Sequence, residues 1–220
     1  MLIIYFKYFL YLIVFAGCIS SHAGSYDDFF AAVAQDDVQQ VKALLERGFD
    51  PNTRDPNGIH GLLLAVKAKS VNTAALLIRW PKTQVESRNA ADESPLMLAA
   101  LAGDLELCRL LISKDADVNK PGWTPLHYAA TNAHVEVMRL LLEENAYIDA
   151  ASPNGTTPLM MAAHYGTATA VKLLLESGAD PMLKNERGLT AIDFANRGNR
   201  ADAATLIAAF IRGRQPKGTW

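Results

Sequence analysis

The run Gly122-Trp123-Thr124-Pro125-Leu126-His127-Tyr128-Ala129-Ala130, with Leu141-Leu142 after it, decides the fold. Thr124 precedes Pro125, so its hydroxyl can cap a helix while the proline fills the first turn, where a missing N–H costs nothing. Near-copies stand on both sides, Ser94-Pro95-Leu96-Met97 and Thr157-Pro158-Leu159-Met160. The Leu pair recurs as Leu111-Ile112 and Leu174-Leu175. A polar turn trails each pair: Asp115-Ala116-Asp117-Val118-Asn119, Asn145-Ala146-Tyr147-Ile148-Asp149 and Gly178-Ala179-Asp180. Thr124 to Thr157 is a step of 33 residues, and Thr190-Ala191-Ile192-Asp193 lies another 33 on. Upstream, His60-Gly61-Leu62-Leu63-Leu64-Ala65 and the stretch from Leu44 to Asn52 carry the register back to near residue 26. A fixed period of this length marks a repeat architecture.

Each copy predicts two short helices. The first starts at Thr-Pro and turns its Leu and Ala-Ala toward the neighbouring copy. The second has the apolar period Val135, Val137-Met138, Leu141-Leu142, with Glu136, Arg139, Glu143 and Glu144 between. It must stop where a residue turns left-handed, and Gly48, Asp115, Asn145 and Gly178 are of the types that tolerate this. Helices this short are marginal alone, so stacking of the copies supplies the stability. The pattern resembles the ankyrin family, whose unit is a β-turn and two antiparallel helices with a Thr-Pro-Leu-His signature; residues 122–154 carry it most fully. The resemblance implies an all-α ankyrin-repeat solenoid of about six helix-turn-helix units joined by β-turn or hairpin loops. It gives a domain over 24–211 with units near 26–58, 59–91, 92–121, 122–154, 155–187 and 188–211.

The departures from the pattern carry expectations of their own. In the second unit Trp80-Pro81 stands where other copies have Gly, Asp or Asn, predicting a different helix stop and a bulged loop. His60-Gly61 replaces Thr-Pro there, so the first helix lacks its usual start. Asn119-Lys120-Pro121-Gly122-Trp123 is three residues short of the usual join, predicting a truncated finger stiffened by Pro121. The end units read as caps: polar Gln35, Asp36, Asp37, Gln39 and Gln40 suit an exposed helix, and Ala191 and Asp193 replace Pro and His. Residues 212–220 read as a flexible basic tail.

Half of the 220 residues are apolar and the formal charge is −2, which offers no electrostatic reason to bind nucleic acid or an anionic membrane. Leu2 to Ile19 are nearly all apolar or aromatic, Lys7 is their only charge, and Ser21-x-Ala23 suits a signal peptidase pocket. A signal peptide over 1–23, cut after Ala23, is the expectation, with no membrane insertion afterwards. Two alternatives stand. The run reaches the lower limit for spanning a bilayer and would serve as a retained anchor. Phe15-Ala16-Gly17-Cys18 resembles a bacterial lipobox, with Phe15 where Leu, Val or Ile is usual, so Cys18 would carry lipid. Cleavage after Ala23 removes Lys7 and no acid, leaving 20 of 21 basic residues against 23 acidic, a charge of −3. Cys108 then stands alone and cannot form an internal disulfide. A resemblance to exported ankyrin proteins of Gram-negative bacteria points to the periplasm.

The sequence carries no phosphate loop, no Gly-x-Ser-x-Gly elbow and no His pair at metal-ligand spacing, so no enzyme, metal or cofactor is expected. An enzyme reading would rest on Cys108 or a histidine. Cys108 lies in Glu106-Leu107-Cys108-Arg109-Leu110-Leu111 and reads as a buried small hydrophobe. His127 and His134 fall where the family holds backbone and loop geometry; Met97, Met160 and Met161 follow the core period. What the resemblance implies instead is a monomer that binds another protein on its concave side. From the turns that side takes Asn57, Asp92, Glu93, Lys120, Trp123, Asn154 and Glu186; from the first helices it takes Gln35, Lys67, Lys69, Thr131, Asn132, His164 and Tyr165. Trp123 and Tyr165 are the expected anchors, because aromatic side chains dominate interface energetics. The mixed charge of the whole set favours a folded partner with an apolar or aromatic anchor of its own.

Overall fold

The computed structural model of the protein describes residues 24–214; the expected signal peptide and residues 215–220 lie outside them. Among the described residues the chain is helical and holds no strand, only one isolated antiparallel bridge from Arg54 to His60. The helices come as antiparallel pairs, in two units that divide between Ala90 and Ala91.

The first unit holds α1 (residues 24–34), α2 (Val38–Glu46), α3 (Gly61–Ala68) and α4 (Val71–Arg79). Phe29 is its anchor, fully buried and stacked on Phe49 at 4.5 Å. A β-carbon on Gly61 would lie 2.7 Å from the Phe29 ring, which is why Gly replaces the usual proline there. His60 caps α3 through its backbone alone, without a side-chain bond, matching the expectation of a helix without its usual start. Asp36 ties the two pairs together by accepting from the Asn72 amide and the Thr73 N–H, at 2.8 and 2.7 Å. At the end of α4, Trp80 is extended (φ −71°, ψ 130°) and leads into the irregular loop.

The second unit holds α5 (Pro95–Ala102), α6 (Leu105–Ile112), α7 (Pro125–Thr131), α8 (Val135–Glu143), α9 (Pro158–Tyr165), α10 (Ala168–Glu176), α11 (Ala191–Arg197) and α12 (Ala201–Arg214). Caps fix where the first helix of each pair begins. The Ser94 and Thr157 hydroxyls accept from the N–H of Met97 and Met160. The residue three positions after the cap returns a bond to the cap's own N–H: Met97 and Met160 through sulfur at 3.4 Å, His127 through Nδ1 at 3.2 Å, Asp193 through Oδ2 at 2.8 Å. The first helices α5, α7, α9 and α11 pack side by side as one layer, and the second helices form the other. Ala99-Ala100, Ala129-Ala130 and Ala162-Ala163 are all buried at the seams, where small side chains let the first helices approach. Leu107, Leu111, Val137, Leu141, Val171 and Leu174 fill the space between layers.

The expected helix stops are left-handed as read: φ is 93° at Gly48, 63° at Asp115, 62° at Asn145 and 106° at Gly178. The tight turn inside most pairs is left-handed as well, at Lys69, Gly103, Ala133 and Asn199 among others; between α9 and α10 Gly166 is not (φ −82°). Gly103 is set apart from these by its neighbour, because a β-carbon there would run into the His134 ring. The short third finger differs from expectation in one respect. Lys120 is buried (5% exposed), paired with the Asp92 carboxylate and donating to the Pro121 carbonyl, so it offers no turn-tip charge. At the other end α12 runs to Arg214, three residues past the expected boundary, with the Arg214 guanidinium 4.4 Å over the Phe210 ring.

Candidate functional site

Two finger turns and the two helices behind them build a cleft in the second unit. In the first turn Ser152 donates its N–H to the Thr156 carbonyl at 3.0 Å, and its hydroxyl donates to the Asn154 amide oxygen at 2.7 Å. In the second turn Asn185 donates to the Leu189 carbonyl at 3.0 Å. Its side-chain oxygen accepts from Arg187 N–H and Leu189 N–H. Glu186 N–H donates to the Asn154 carbonyl at 3.0 Å, which locks the turns side by side. Between them lies a cleft of about 280 Å³, lined by Trp123, Asn154, Thr156, Met161, His164, Tyr165, Asn185, Arg187, Leu189, Phe194 and Arg197.

Several of its side chains have defined neighbours. His164 Nδ1 sits 3.0 Å from the Phe194 carbonyl, and a carbonyl only accepts, so Nδ1 carries the hydrogen. The His164 ring meets Tyr165 edge-on at 4.1 Å, and Tyr165 remains 54% exposed. Trp123 is half-buried, with its ring edge-on to His127 at 5.2 Å. Arg187 and Arg197 are exposed, and none of the lining residues is a carboxylate. Asp193, on the same helix as Arg197, accepts from the Thr190 N–H and hydroxyl; those two bonds hold its carboxyl below the usual carboxylate range. Aromatic faces, amides and guanidinium groups are the equipment of recognition.

The structure gathers four of the expected partner-binding residues here: Trp123, Asn154, His164 and Tyr165. Thr131 and Asn132 hold the backbone instead, donating to the carbonyls of His127 and Leu101 at 2.8 Å each. The Asp92 carboxylate pairs with Lys120. Glu93 accepts from the Tyr128 hydroxyl at 2.9 Å; burial first, then that bond, pushes the phenol up. Lys67 and Lys69 belong to the first unit, exposed at the end of α3, where Lys69 is the left-handed cap. Met161, expected in the core, is partly exposed and lines the cleft.

Asn185, Arg187, Leu189, Phe194 and Arg197 were not legible as site residues, yet the repeat register pointed to most of them. Arg187 stands 33 residues after Asn154, Leu189 after Thr156, Phe194 after Met161 and Arg197 after His164. Four positions of the cleft are thus used in adjacent copies, and one of them a third time, at Trp123. Reading the last copy only as a cap hid its part. Cys108 lies elsewhere, fully buried, and burial pushes its thiol up to about 12. Among the described residues no group of three or more His, Cys, Asp or Glu side chains is placed to hold a metal.

Residues 29–121 and 62–152 match the family model described as ankyrin repeats (3 copies), and residues 147–195 match that of ankyrin repeats (many copies). The chain belongs to the ankyrin-repeat family. Ankyrin repeats are protein–protein interaction modules, and the fold is generally a non-catalytic one. This ankyrin-repeat chain is 32% identical over 161 residues to the nuclear factor NF-kappa-B p105 subunit of Gallus gallus, covering 70% of itself but only 16% of that protein. It is 30% identical over 112 residues to protein phosphatase 1 regulatory subunit 27 of Mus musculus, covering 50% of itself and 72% of the relative. An ankyrin repeat domain from Acinetobacter baumannii superposes with a TM-score of 0.73 at 27% identity, over 83% of this chain and 96% of that one. A chain in the solved complex of a predatory endopeptidase from Bdellovibrio bacteriovorus with an immunity protein does so with a TM-score of 0.73 at 28% identity, over 83% and 97%.

Proposed function

We propose that this ankyrin-repeat protein is exported to a bacterial periplasm and there binds a partner protein on the face made by its finger turns and first helices. The observation that carries the reading is the cleft with Tyr165 exposed at its side and Trp123 half-exposed in its wall. An aromatic ring left in water beside a concave, partly apolar surface is what a protein interface uses as an anchor. Export is supported by the apolar run Leu2–Ile19 and the small residues before Gly24. Two of the similar solved structures come from bacteria, and one is a complex of an endopeptidase with an immunity protein. Within the proposed role, that complex supports an immunity-type function, in which the repeats restrain a toxic or envelope-acting enzyme.

The test is a pull-down from an envelope extract with the chain as bait, beside a Trp123→Ala/Tyr165→Ala variant of equal thermal midpoint. A protein retained by the first and lost with the second supports the reading; equal retention by both contradicts it. Mass analysis of the mature N-terminus addresses location. A chain starting at Gly24 supports periplasmic release, whereas one starting at a lipidated Cys18 replaces it with the membrane-tethered form that Phe15-Ala16-Gly17-Cys18 suggests.

A further inference from the structure

The cleft has a charge of its own, set against that of the chain. Formal net charge is −2, yet the cleft lining contains two arginines, a histidine and no carboxylate. Neither Arg187 nor Arg197 is held in an ion pair among the described residues. Both are exposed, so their guanidinium groups remain open to an incoming acceptor. The two nearby acids do not fill that place. Asp193, one turn before Arg197, feels the charge of that guanidinium, but its Oδ2 is taken up by the Thr190 N–H and hydroxyl and it forms no ion pair with Arg197. The Glu186 side chain lies outside the lining, although its N–H joins the two turns. Beside the arginines, the same cleft is lined by Trp123, Met161, Tyr165, Leu189 and Phe194. Cationic and apolar-aromatic side chains thus share one concave surface of about 280 Å³, room for one or two side chains.

Resting on the reading that this face binds a partner, we propose that the occupant of the cleft is an acidic peptide segment. One of its carboxylates is held by Arg187 and Arg197, and a neighbouring aromatic or aliphatic side chain lies against Tyr165 and Phe194. Guanidinium groups match carboxylates in a bidentate geometry that amides do not reproduce. The apolar lining supplies the affinity, and the arginines supply orientation and faster encounter. Expected binding is therefore selective for Asp or Glu next to an apolar residue, and weaker at high salt.

The experiment is selection from a random displayed dodecapeptide library on the purified chain. Affinities of the selected peptide and of its Asp→Asn, Glu→Gln counterpart are then measured by fluorescence anisotropy at low and high salt. The expected outcome is enrichment of an acidic residue beside an aromatic or aliphatic one, with at least about a tenfold loss of affinity on amidation. An Arg187→Glu/Arg197→Glu variant loses that peptide to a similar degree, while Arg187→Lys/Arg197→Lys retains part of it. Selected peptides that are not acidic, but are lost with Tyr165→Ala, overturn the acidic occupant and leave the binding face standing. Peptides that survive both Tyr165→Ala and the arginine reversals overturn the face as well, and selection of no peptide counts against the proposal.

Discussion

His127 connects two stretches of backbone through a single ring. Nδ1 accepts from the Thr124 N–H at 3.2 Å, which leaves the hydrogen on Nε2, and Nε2 donates to the Thr156 carbonyl of the next copy at 2.9 Å. A proton on Nδ1 would break the first bond, and burial opposes the charge; the ring's pKa is pushed down to about 4 from 6.5. The unfolded chain therefore takes up a proton that the native state refuses. This part of the stability is complete above pH 6.5 and is lost as pH falls from 6.5 toward 4. His127→Gln is expected to lower stability by roughly 1–3 kcal/mol at pH 7.5. The variant should then lose less than the wild type between pH 7.5 and 4.5, read from urea midpoints; equal losses would remove His127 as the cause. Cys108 gives a second residue-scale prediction. Its thiol is fully buried and pushed up to about 12, so a disulfide-exchange reagent should label it at least about a hundredfold more slowly in the native chain than in urea. Rapid labelling of native protein would instead revive a reactive thiol.

At the scale of the element, copies are tied by one side chain that recurs. Asn119 donates its amide to the Asn145 carbonyl at 2.8 Å and accepts from the Tyr147 N–H at 2.7 Å, reaching from the end of one pair to the end of the next. Asn52 does the same to Lys82 and Gln84, and Asp149 accepts from Asp180 N–H. Asn119→Ala should cost roughly 0.5–1.5 kcal/mol, because it leaves the Asn145 carbonyl and the Tyr147 N–H to water. Asn119→Asp keeps only the acceptor and should fall between; a melting temperature indifferent to both would contradict the tie. This scale also shows what a sequence can disclose. Gly48, Asp115, Asn145 and Gly178 announce left-handed backbone because few other residue types tolerate it. Lys69 and Ala133 are equally left-handed and give no such sign; the tight turn between paired helices forces them there. Lys120 reads as a turn-tip charge, and only the tertiary fold, by bringing Asp92 to it, buries it. Four of the cleft's eleven lining residues, Trp123, Asn154, His164 and Tyr165, were visible on the expected face. Leu189, Phe194 and Arg197 lay in the last copy, where the loss of Pro and His points to capping, and Asn185 and Arg187 in the turn that leads into it.

At the scale of the whole molecule, the proposed recognition face and the packing that stabilises the copies draw on different surfaces. The buried Ala and Leu seams, the caps and the Asn ties fix the stack. The turn tips and the outer sides of α9 and α11 carry side chains that the stack does not need, Tyr165, Arg187 and Arg197 among them. Another set of exposed apolar groups competes for attention: Tyr147 at 67%, Met182 at 57% and Leu183 at 36%, on the turns that follow the second helices. The cleft differs from that set in being concave and in joining aromatic with cationic groups, the combination that makes an interface both tight and selective. Amide hydrogen exchange of the chain, alone and with the partner captured from the envelope extract, separates the two surfaces directly. The predicted result is slowed exchange centred on residues 152–165 and 185–197. Slowing confined to residues 144–150 and 177–184, with the cleft unchanged, would contradict it.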